Sequence, residues 1–313
     1  MPGLALYENE PMSAHCSFRI GGPVRALGVP QDVTGLTKLC YLLKKHELAP
    51  FILGNGTNIL FPDEGLKDLF ILSTEKLTKL FFLPDGAIYA EAGVSLAKLA
   101  GFAQQNGLTG LEFASGIPGS VGGGLMMNAG AYGGELKDAV ESVVIHFLPE
   151  QAIYELSNEQ CAFGYRSSFF QKMPGCVIVS AVFRLRKGDP EEIAAKMREL
   201  NAKRREKQPL DLPSAGSAFK RPEGGYAAAL IDEAGLKGYT IGGAQVSEKH
   251  AGFVVNIGSA TSHDVHDLMR HIRRTVYDRS KVALEPEMII LPPDYKLEDH
   301  GPQVPLHTVW ASQ

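Results

Sequence analysis

Two glycine-rich segments in the first half of the chain have the residue types and spacing of anion-binding loops. The longer one, residues 110–135, reads GLEFASGIPGSVGGGLMMNAGAYGGE and contains nine glycines but no lysine or arginine. Because a glycine inside a helix or strand costs about 0.5–1 kcal/mol relative to alanine, this composition argues against a regular core element. The N–H groups of such a loop can bind an anion without a cationic side chain. The segment therefore predicts a backbone cradle for an anion, with a plain surface loop as the alternative.

The second segment, residues 54–58, reads GNGTN and follows a predicted strand at residues 51–53. A strand followed by G-x-G resembles the dinucleotide fingerprint, but that motif requires a third glycine and then a helix. Here the next residues, Ile59 to Pro62, predict another short strand closed by proline, which argues against a Rossmann-type site. A strand–loop–strand phosphate cradle remains, although Asn-Gly is also a common turn. Its candidate donors are Gly54, Asn55, Gly56, Thr57 and Asn58.

Composition and charge limit the classes of function. The chain has 313 residues, enough for two or three domains, and a formal net charge of −4 without a long run of one sign. A nucleic-acid or anionic-membrane partner would favour a basic patch, so we expect neither. The N-terminal sequence lacks signal-peptide features, and no apolar stretch approaches the roughly 20 residues of a membrane span. We therefore expect a cytoplasmic location, and the sequence leaves the oligomeric state open.

The cysteine and histidine patterns do not indicate a metal or redox centre. The four cysteines include no C-x-x-C pair, so neither a zinc ribbon nor a redox dithiol is predicted. His263 and His266 stand three residues apart on a predicted helix, but no carboxylate–histidine arrangement elsewhere completes a ligand set. We expect no metal site.

The elements that must position these loops alternate irregularly between strands and helices, which predicts an α+β fold rather than a regular βαβ series. Asp32, Ser95 and Asp189 are predicted helix N-caps, and Thr261 or Ser262 is predicted to cap a helix that ends near Ser280. A further helix is predicted at residues 226–234. Later strands are predicted at residues 69–72, 79–83, 88–91, 140–147, 153–156, 177–185 and 284–291.

The helix that begins after Asp189 ends in four basic residues, Lys203, Arg204, Arg205 and Lys207. Cations near a helix C-terminus complement the helix macrodipole, which is one interpretation. The other is a clamp on an anionic ligand, and the sequence leaves both open. The clearest linker, residues 209–213, follows this helix. Two cradles before residue 135 suit a large diphosphate cofactor, but these patterns do not distinguish a flavin from another dinucleotide.

Several blocks resemble one enzyme family, that of UDP-N-acetylenolpyruvoylglucosamine reductase. They are residues 54–60, 110–135, 165–170, 214–222, 235–238, 244–256 and 284–287, in this order. The resemblance implies a two-lobed FAD-binding domain of the vanillyl-alcohol-oxidase (PCMH) type, with lobes at residues 1–75 and 76–208. It also implies a C-terminal α+β substrate-binding domain at residues 209–291. We expect the tail, residues 292–313, to be extended or mobile.

The resemblance also implies a reaction in peptidoglycan precursor synthesis. NADPH reduces non-covalently bound FAD, and the reduced flavin gives a hydride to C3 of the enolpyruvyl group, forming UDP-N-acetylmuramate. Arg166, in Tyr-Arg-x-Ser, matches the arginine that stabilises the substrate carboxylate. Ser217, in Ala-Gly-Ser, matches the proton donor to C2, and Glu287, in Leu-Glu-Pro-Glu, matches the acid that assists at the enolate. A position beside the substrate carboxylate would raise the pKa of Glu287.

The matching blocks also contain the expected ligand-binding residues. Those expected at FAD in the longer segment are Gly116, Pro118, Gly119, Ser120, Gly122, Gly123, Asn128, Ala131 and Tyr132. Tyr165, Lys207 and Arg221 are expected at the substrate. The interval between Arg166 and Ser217 lacks the insertion that carries a substrate-covering tyrosine in some members, so the chain resembles the loop-less (type II) subtype. An FAD-dependent oxidase of the same fold and a non-catalytic flavin or nucleotide-sugar binding module remain alternatives.

Overall fold

The computed structural model describes residues 3–296, which form three larger sheets with helices packed against them. The helices of this range are α1 (Val33–Lys45), α2 (Leu96–Gln105), α3 (Val121–Met126), α4 (Pro190–Lys207), α5 (Ala227–Glu233) and α6 (Ser262–Ser280). The strands in the first half are β1 (Leu4–Pro11), β2 (Pro23–Pro30), β3 (Pro50–Leu53), β4 (Ile59–Leu60), β5 (Leu66–Ser73), β6 (Leu80–Phe82), β7 (Ile88–Glu91), β8 (Leu108–Thr109), β9 (Gly130–Ala131), β10 (Gly134–Glu135) and β11 (Val140–Phe147). The remaining strands are β12 (Ala152–Ser157), β13 (Cys176–Phe183), β14 (Arg186–Lys187), β15 (Ser214–Ser217), β16 (Thr240–Ile241), β17 (Ala244–Val246), β18 (Phe253–Asn256) and β19 (Ile289–Ile290).

The first sheet has the order β1-β2-β5-β3, in which β2, β5 and β3 are parallel and β1 is antiparallel. Parallel neighbours need a crossover connection, and α1 lies within one. The Asp32 side chain caps α1, as predicted, by accepting a hydrogen bond from Gly35 N at 2.7 Å. The buried side of α1 packs in one cluster with β5 and with β13 of the second sheet. This helix therefore joins the first two sheets.

The second sheet is antiparallel with the order β12-β11-β13-β7-β6. Its core includes the buried faces of α2 and α3. Ser95 caps α2, as predicted, by accepting from Lys98 N at 3.1 Å. The second sheet also holds α3, because Gly122 N donates to Ala92 O at 2.8 Å directly after β7.

The third sheet is antiparallel with the order β15-β18-β17-β16. Thr261 caps α6 in a capping box with Asp264, which settles the predicted choice between Thr261 and Ser262. The buried face of α6 lies in the same apolar cluster as Leu27 of β2 and Ile71 of β5. The third and first sheets therefore share one core.

Two predictions about secondary structure were wrong. Residues 121–126 form α3 although they contain three glycines, where an irregular loop was expected. The strand predicted at residues 284–291 is only the two-residue β19, because Pro286 interrupts it and leaves an isolated bridge to Phe219. The chain after residue 56 returns to a strand, β4, as the rejection of a Rossmann-type motif predicted.

The predicted tail, residues 292–313, falls largely outside the described residues. Within its described part, Tyr295 packs against Phe51 with ring centroids 6.2 Å apart. Between residues 3 and 296 no helix combines the length and the apolar character required to cross a bilayer. The same range contains no group of three or more histidine, cysteine, aspartate or glutamate side chains placed to bind a metal ion.

Candidate active site

The two glycine-rich segments lie against each other. Thr57 Oγ1 donates a hydrogen bond to the carbonyl oxygen of Pro118 at 3.3 Å. A Cβ atom added at Gly54 would lie 2.8 Å from Ser120 Oγ, so the backbone there approaches the second segment more closely than another residue allows. The structure therefore joins the two predicted cradles into one surface.

Backbone donors on this surface are available to a ligand. Across residues 3–296, the N–H groups of residues 55–58 and of Gly119 donate to no other protein backbone group. Polar backbone groups in folded proteins are nearly always paired with protein, water or ligand. Clustered free N–H groups in a turn suit a phosphate, so this donor set fits the diphosphate of FAD. The Asn58 side chain is different, since its Nδ2 donates to the Glu287 carbonyl oxygen at 3.2 Å.

The predicted flavin-binding residues of the longer segment occupy three local structures. Gly116, Pro118 and Gly119 precede α3, Ser120 is its N-cap, and Gly122 and Gly123 lie in its first turn. Close packing favours glycine at position 122, because a Cβ added there would lie 3.0 Å from the Cβ of Ala92. Ala131 ends β9, and Tyr132 occupies the following two-residue turn with a φ of +53° and a half-exposed side chain.

Asn128 holds this segment to its neighbours. The side chain is fully buried, its Nδ2 donates to Glu135 Oε2 and to Gly164 O at 3.0 Å each, and its Oδ1 accepts from Lys137 N at 3.1 Å. Both amide donors and the amide acceptor are thus engaged within the protein. This network fixes the turn at Gly164, which precedes Arg166.

The basic end of α4 turns one cation inward. Arg204 is 8% exposed, and its Nη1 donates to the carbonyl oxygen of Gly116. Burial lowers the pKa of Arg204, against a smaller opposing effect of Tyr132, whose hydroxyl interacts with the guanidinium. Lys203, Arg205 and Lys207 stay exposed. The macrodipole interpretation therefore does not account for Arg204, which contacts the glycine-rich segment directly.

Arg166 and Glu287 form a partly buried ion pair. Arg166 Nε donates to Glu287 Oε1 at 2.5 Å, and its Nη1 donates to Gly130 O at 3.3 Å. Arg166 has a φ of +51°, a conformation that costs a residue other than glycine on the order of 1–3 kcal/mol and is concentrated at functional sites. The remaining guanidinium nitrogen, Nη2, is left to bind an anion.

Glu287 lies where three parts of the chain meet. Its backbone N donates to Ala218 O at 2.9 Å, and its carbonyl oxygen accepts from Asn58 of the shorter cradle. Burial raises the pKa of the Glu287 carboxyl, and the nearby Arg166 guanidinium only partly opposes this effect. The sequence-based prediction attributed the shift to a substrate carboxylate, whereas in the structure burial raises the pKa of Glu287.

Ser217 ends β15, one residue before Ala218. Gly216, with a φ of +77°, forms a bulge against β18 immediately before it. Within residues 3–296 the Ser217 hydroxyl has no protein hydrogen-bond partner, and the side chain is half-buried. Since Ala218 O accepts from Glu287 N, Ser217 and Glu287 belong to neighbouring backbone segments. The structure thus brings together Arg166, Ser217 and Glu287, which are far apart in sequence.

The three predicted substrate residues lie in two places. The hydroxyl of Tyr165 accepts from Arg221 N at 3.2 Å, and the Arg221 guanidinium lies over the exposed Tyr226 ring, 4.5 Å from its centroid. Lys207 lies near His250, whose pKa is lowered by burial and further by Lys237 and Lys207. His250 belongs to the loop whose Gly252 O accepts from Ala218 N at 2.8 Å.

Sequence reasoning missed two connections. The contact between Arg204 and Gly116 was not expected, although the basic end of α4 gave a signal for it. The bond from Asn58 to Glu287 had no signal, because it depends on β19 pairing with β4.

The cradle and the family models together define the class of this protein as FAD-dependent oxidoreductases. Residues 24–148 match the family model of an FAD binding domain, and residues 208–291 match that of the UDP-N-acetylenolpyruvoylglucosamine reductase C-terminal domain. A reductase of that name from Caldanaerobacter subterraneus is 49% identical over 91% of this chain and 93% of its own length. The one from Limosilactobacillus reuteri is 44% identical over 93% and 96% of the two chains.

A solved structure agrees with these similarities. The crystal structure of UDP-N-acetylenolpyruvylglucosamine reductase from Thermus caldophilus matches with a TM-score of 0.77 and 33% identity, over 92% of this chain and 99% of that one. The chain belongs to the UDP-N-acetylenolpyruvoylglucosamine reductase family. Its cofactor is FAD, and the predicted fold, a vanillyl-alcohol-oxidase-type domain with a C-terminal α+β domain, is confirmed.

Proposed function

We propose that the protein catalyses the NADPH-dependent reduction of UDP-N-acetylenolpyruvoylglucosamine to UDP-N-acetylmuramate, a step of peptidoglycan precursor synthesis. The observation that carries this proposal is the contact of Arg166 with Glu287. The backbone N of Glu287 donates to Ala218 O, directly after Ser217, and its carbonyl oxygen accepts from Asn58 of the cofactor cradle. Two relatives that align with this chain over nearly their whole length are named for this activity. The N–H groups of residues 55–58 and of Gly119 would hold the diphosphate of FAD, which would supply hydride-level, two-electron chemistry between NADPH and the substrate.

Arg166 binds the substrate carboxylate in this proposal. Adding a hydride to C3 places negative charge on C2 and the adjacent carboxylate. A guanidinium stabilises such charge best as a fixed donor of charge-assisted hydrogen bonds. Glu287 and Gly130 hold two of its nitrogens, which orients Nη2 before the substrate arrives. A donor that is already oriented costs no reorganisation during the reaction.

Ser217 donates the proton to C2. An alcohol is a weak acid, so the developing charge on C2 must draw the proton while nearby groups stabilise the enolate. Glu287 supports this step because burial keeps its carboxyl protonated to a higher pH than usual. A protonated carboxyl can donate a hydrogen bond to the enolate oxygen. Tyr165, Arg221 and Lys207 are proposed to bind the diphosphate and the sugar of the substrate.

A steady-state assay tests the proposal and separates it from the alternatives. Purified protein with FAD should oxidise NADPH rapidly only when UDP-N-acetylenolpyruvoylglucosamine is present, and it should form one UDP-N-acetylmuramate per NADPH. An oxidase of the same fold would consume NADPH and dioxygen without that substrate. A binding module would retain FAD but would oxidise no NADPH, with or without the substrate. Either result would contradict the proposal.

A further inference from the structure

Arg204 is a buried cation without a carboxylate partner in the described structure. It is 8% exposed, and no ion pair joins it to an acidic side chain within residues 3–296. A buried charge is costly unless it is paired and hydrogen-bonded. The Gly116 carbonyl and the Tyr132 hydroxyl interact with the guanidinium, but neither offsets its charge. The charge therefore lacks a counter-ion from the protein.

Both polar contacts that the described structure gives the Arg204 guanidinium lie in the glycine-rich segment. Gly116 precedes α3, and Tyr132 occupies the turn after β9. One turn earlier on α4, Asn201 Nδ2 donates to Ser115 Oγ at 3.1 Å, so α4 is held against the same residues. The glycine-rich segment contains no lysine or arginine of its own. Arg204 thus places a positive charge on a segment that otherwise offers neutral backbone donors.

We infer that Arg204 is the counter-cation of bound FAD, contributed by α4 to the glycine-rich cradle. FAD brings two sources of negative charge, its diphosphate and the ring system once it has been reduced. Either would complete the pairing that the protein leaves open, and a guanidinium suits both because it presents several donors in one plane. The basic end of α4 therefore acts as a clamp through Arg204, while its neighbours remain exposed.

The experiment measures FAD affinity and the flavin midpoint potential in Arg204→Gln and Arg204→Met. Methionine keeps a buried apolar chain of similar length. The methionine variant can therefore be measured even if the glutamine variant does not fold. We expect FAD to dissociate at least about tenfold more readily from each variant, since hydrogen bonds to charged groups are the strong ones. The slope of log Kd against log salt concentration should also become shallower, because one screened attraction is gone.

Arg205→Gln is the matched control, because Arg205 lies on the same helix end but is exposed. It should leave FAD affinity, salt slope and potential unchanged. Pairing with the diphosphate predicts weaker FAD binding with an unchanged midpoint potential, whereas pairing with the reduced ring predicts a more negative potential in both Arg204 variants. If both variants keep wild-type affinity, salt slope and potential, Arg204 only anchors Gly116 and the inference is wrong. These measurements need no substrate, so they remain independent of the proposed reaction.

Discussion

Glu287 combines a raised pKa with a close cationic partner. A guanidinium at 2.5 Å favours the ionised carboxylate, yet burial has the larger effect on the pKa. The carboxyl is therefore protonated to a higher pH than a solvent-exposed glutamate. A substrate carboxylate bound at Arg166 would add a like charge and shift the equilibrium in the same direction. The residue is thus suited to act in its protonated form.

This assignment predicts how the rate depends on pH. When the pH rises through the raised pKa of Glu287, the acid form is lost, so kcat should fall on the alkaline side. In Glu287→Gln that limb should disappear and kcat should drop by about 10²–10⁴-fold, the usual effect of losing a general acid. Measuring kcat against pH for both proteins checks this.

Glu285→Gln provides the control, because Glu285 lies two residues away with a largely exposed side chain paired to Lys220. Its kcat and its pH profile should match those of the wild type. A Glu287→Gln variant that keeps the alkaline limb and most of its rate would refute the role of Glu287.

At the scale of elements, α3 shows that a glycine can be needed for close packing between elements, and not only for a turn. Gly122 faces Ala92, the residue after β7, and a Cβ added at Gly122 would lie only 3.0 Å from that of Ala92. Its N–H also donates to Ala92 O, which holds the helix against the strand segment after β7. Glycine at this position lets the cofactor segment approach the sheet.

Two glycine substitutions should therefore have opposite effects on stability. Gly101, in α2, has no atom within 4 Å of an added Cβ, so Gly101→Ala should stabilise the protein by about 0.5–1 kcal/mol through helix propensity. Gly122→Ala adds the same propensity but overpacks the contact with Ala92, and overpacking typically costs about 1–3 kcal/mol. Urea unfolding of both variants should place Gly122→Ala below Gly101→Ala. An equal gain in both would show that the contact at Gly122 is not limiting.

Helix caps and apolar spacing could be predicted from the sequence because they depend on residues close together in the chain. Asp32, Ser95 and Asp189 cap the predicted helices. The existence of α3 could not be predicted, since Gly122 packs against Ala92 and Gly124 against Leu96 and Leu136, and these contacts join residues that are distant in sequence. The residues of the candidate site were identified only by resemblance, and their convergence depends on the pairing of residues 218–220 with residues 285–287. Such non-local pairing has no signature in a single sequence.

At the scale of the whole molecule, the C-terminal part is not an independent core. Buried side chains of α6 and of the third sheet share one apolar cluster with residues of the first sheet. The strand β19 also pairs with β4, which follows the shorter cradle. The shorter cofactor loop, Ser217 and Glu287 are thus held by one continuous core.

A fragment spanning residues 208–296 should consequently fail to fold by itself. Separation exposes the apolar surface that the first sheet covers, and the hydrophobic stabilisation lost is proportional to that area. Near-ultraviolet circular dichroism and urea titration should show no cooperative transition for the fragment, whereas the full chain unfolds cooperatively. A fragment with a sharp transition and native-like dichroism would contradict the shared core.

In the proposed reaction Ser217 protonates C2 as the reduced flavin gives its hydride to C3, so loss of the proton donor also slows reoxidation of the flavin. The most direct test follows the two half-reactions separately in a stopped-flow instrument. NADPH should bleach the flavin of wild type and Ser217→Ala at the same rate, because Ser217 takes no part in that step. On addition of UDP-N-acetylenolpyruvoylglucosamine without oxygen, we expect the flavin colour to return about 10²–10⁴-fold more slowly in Ser217→Ala. An equal rate of return in the two proteins would contradict the account.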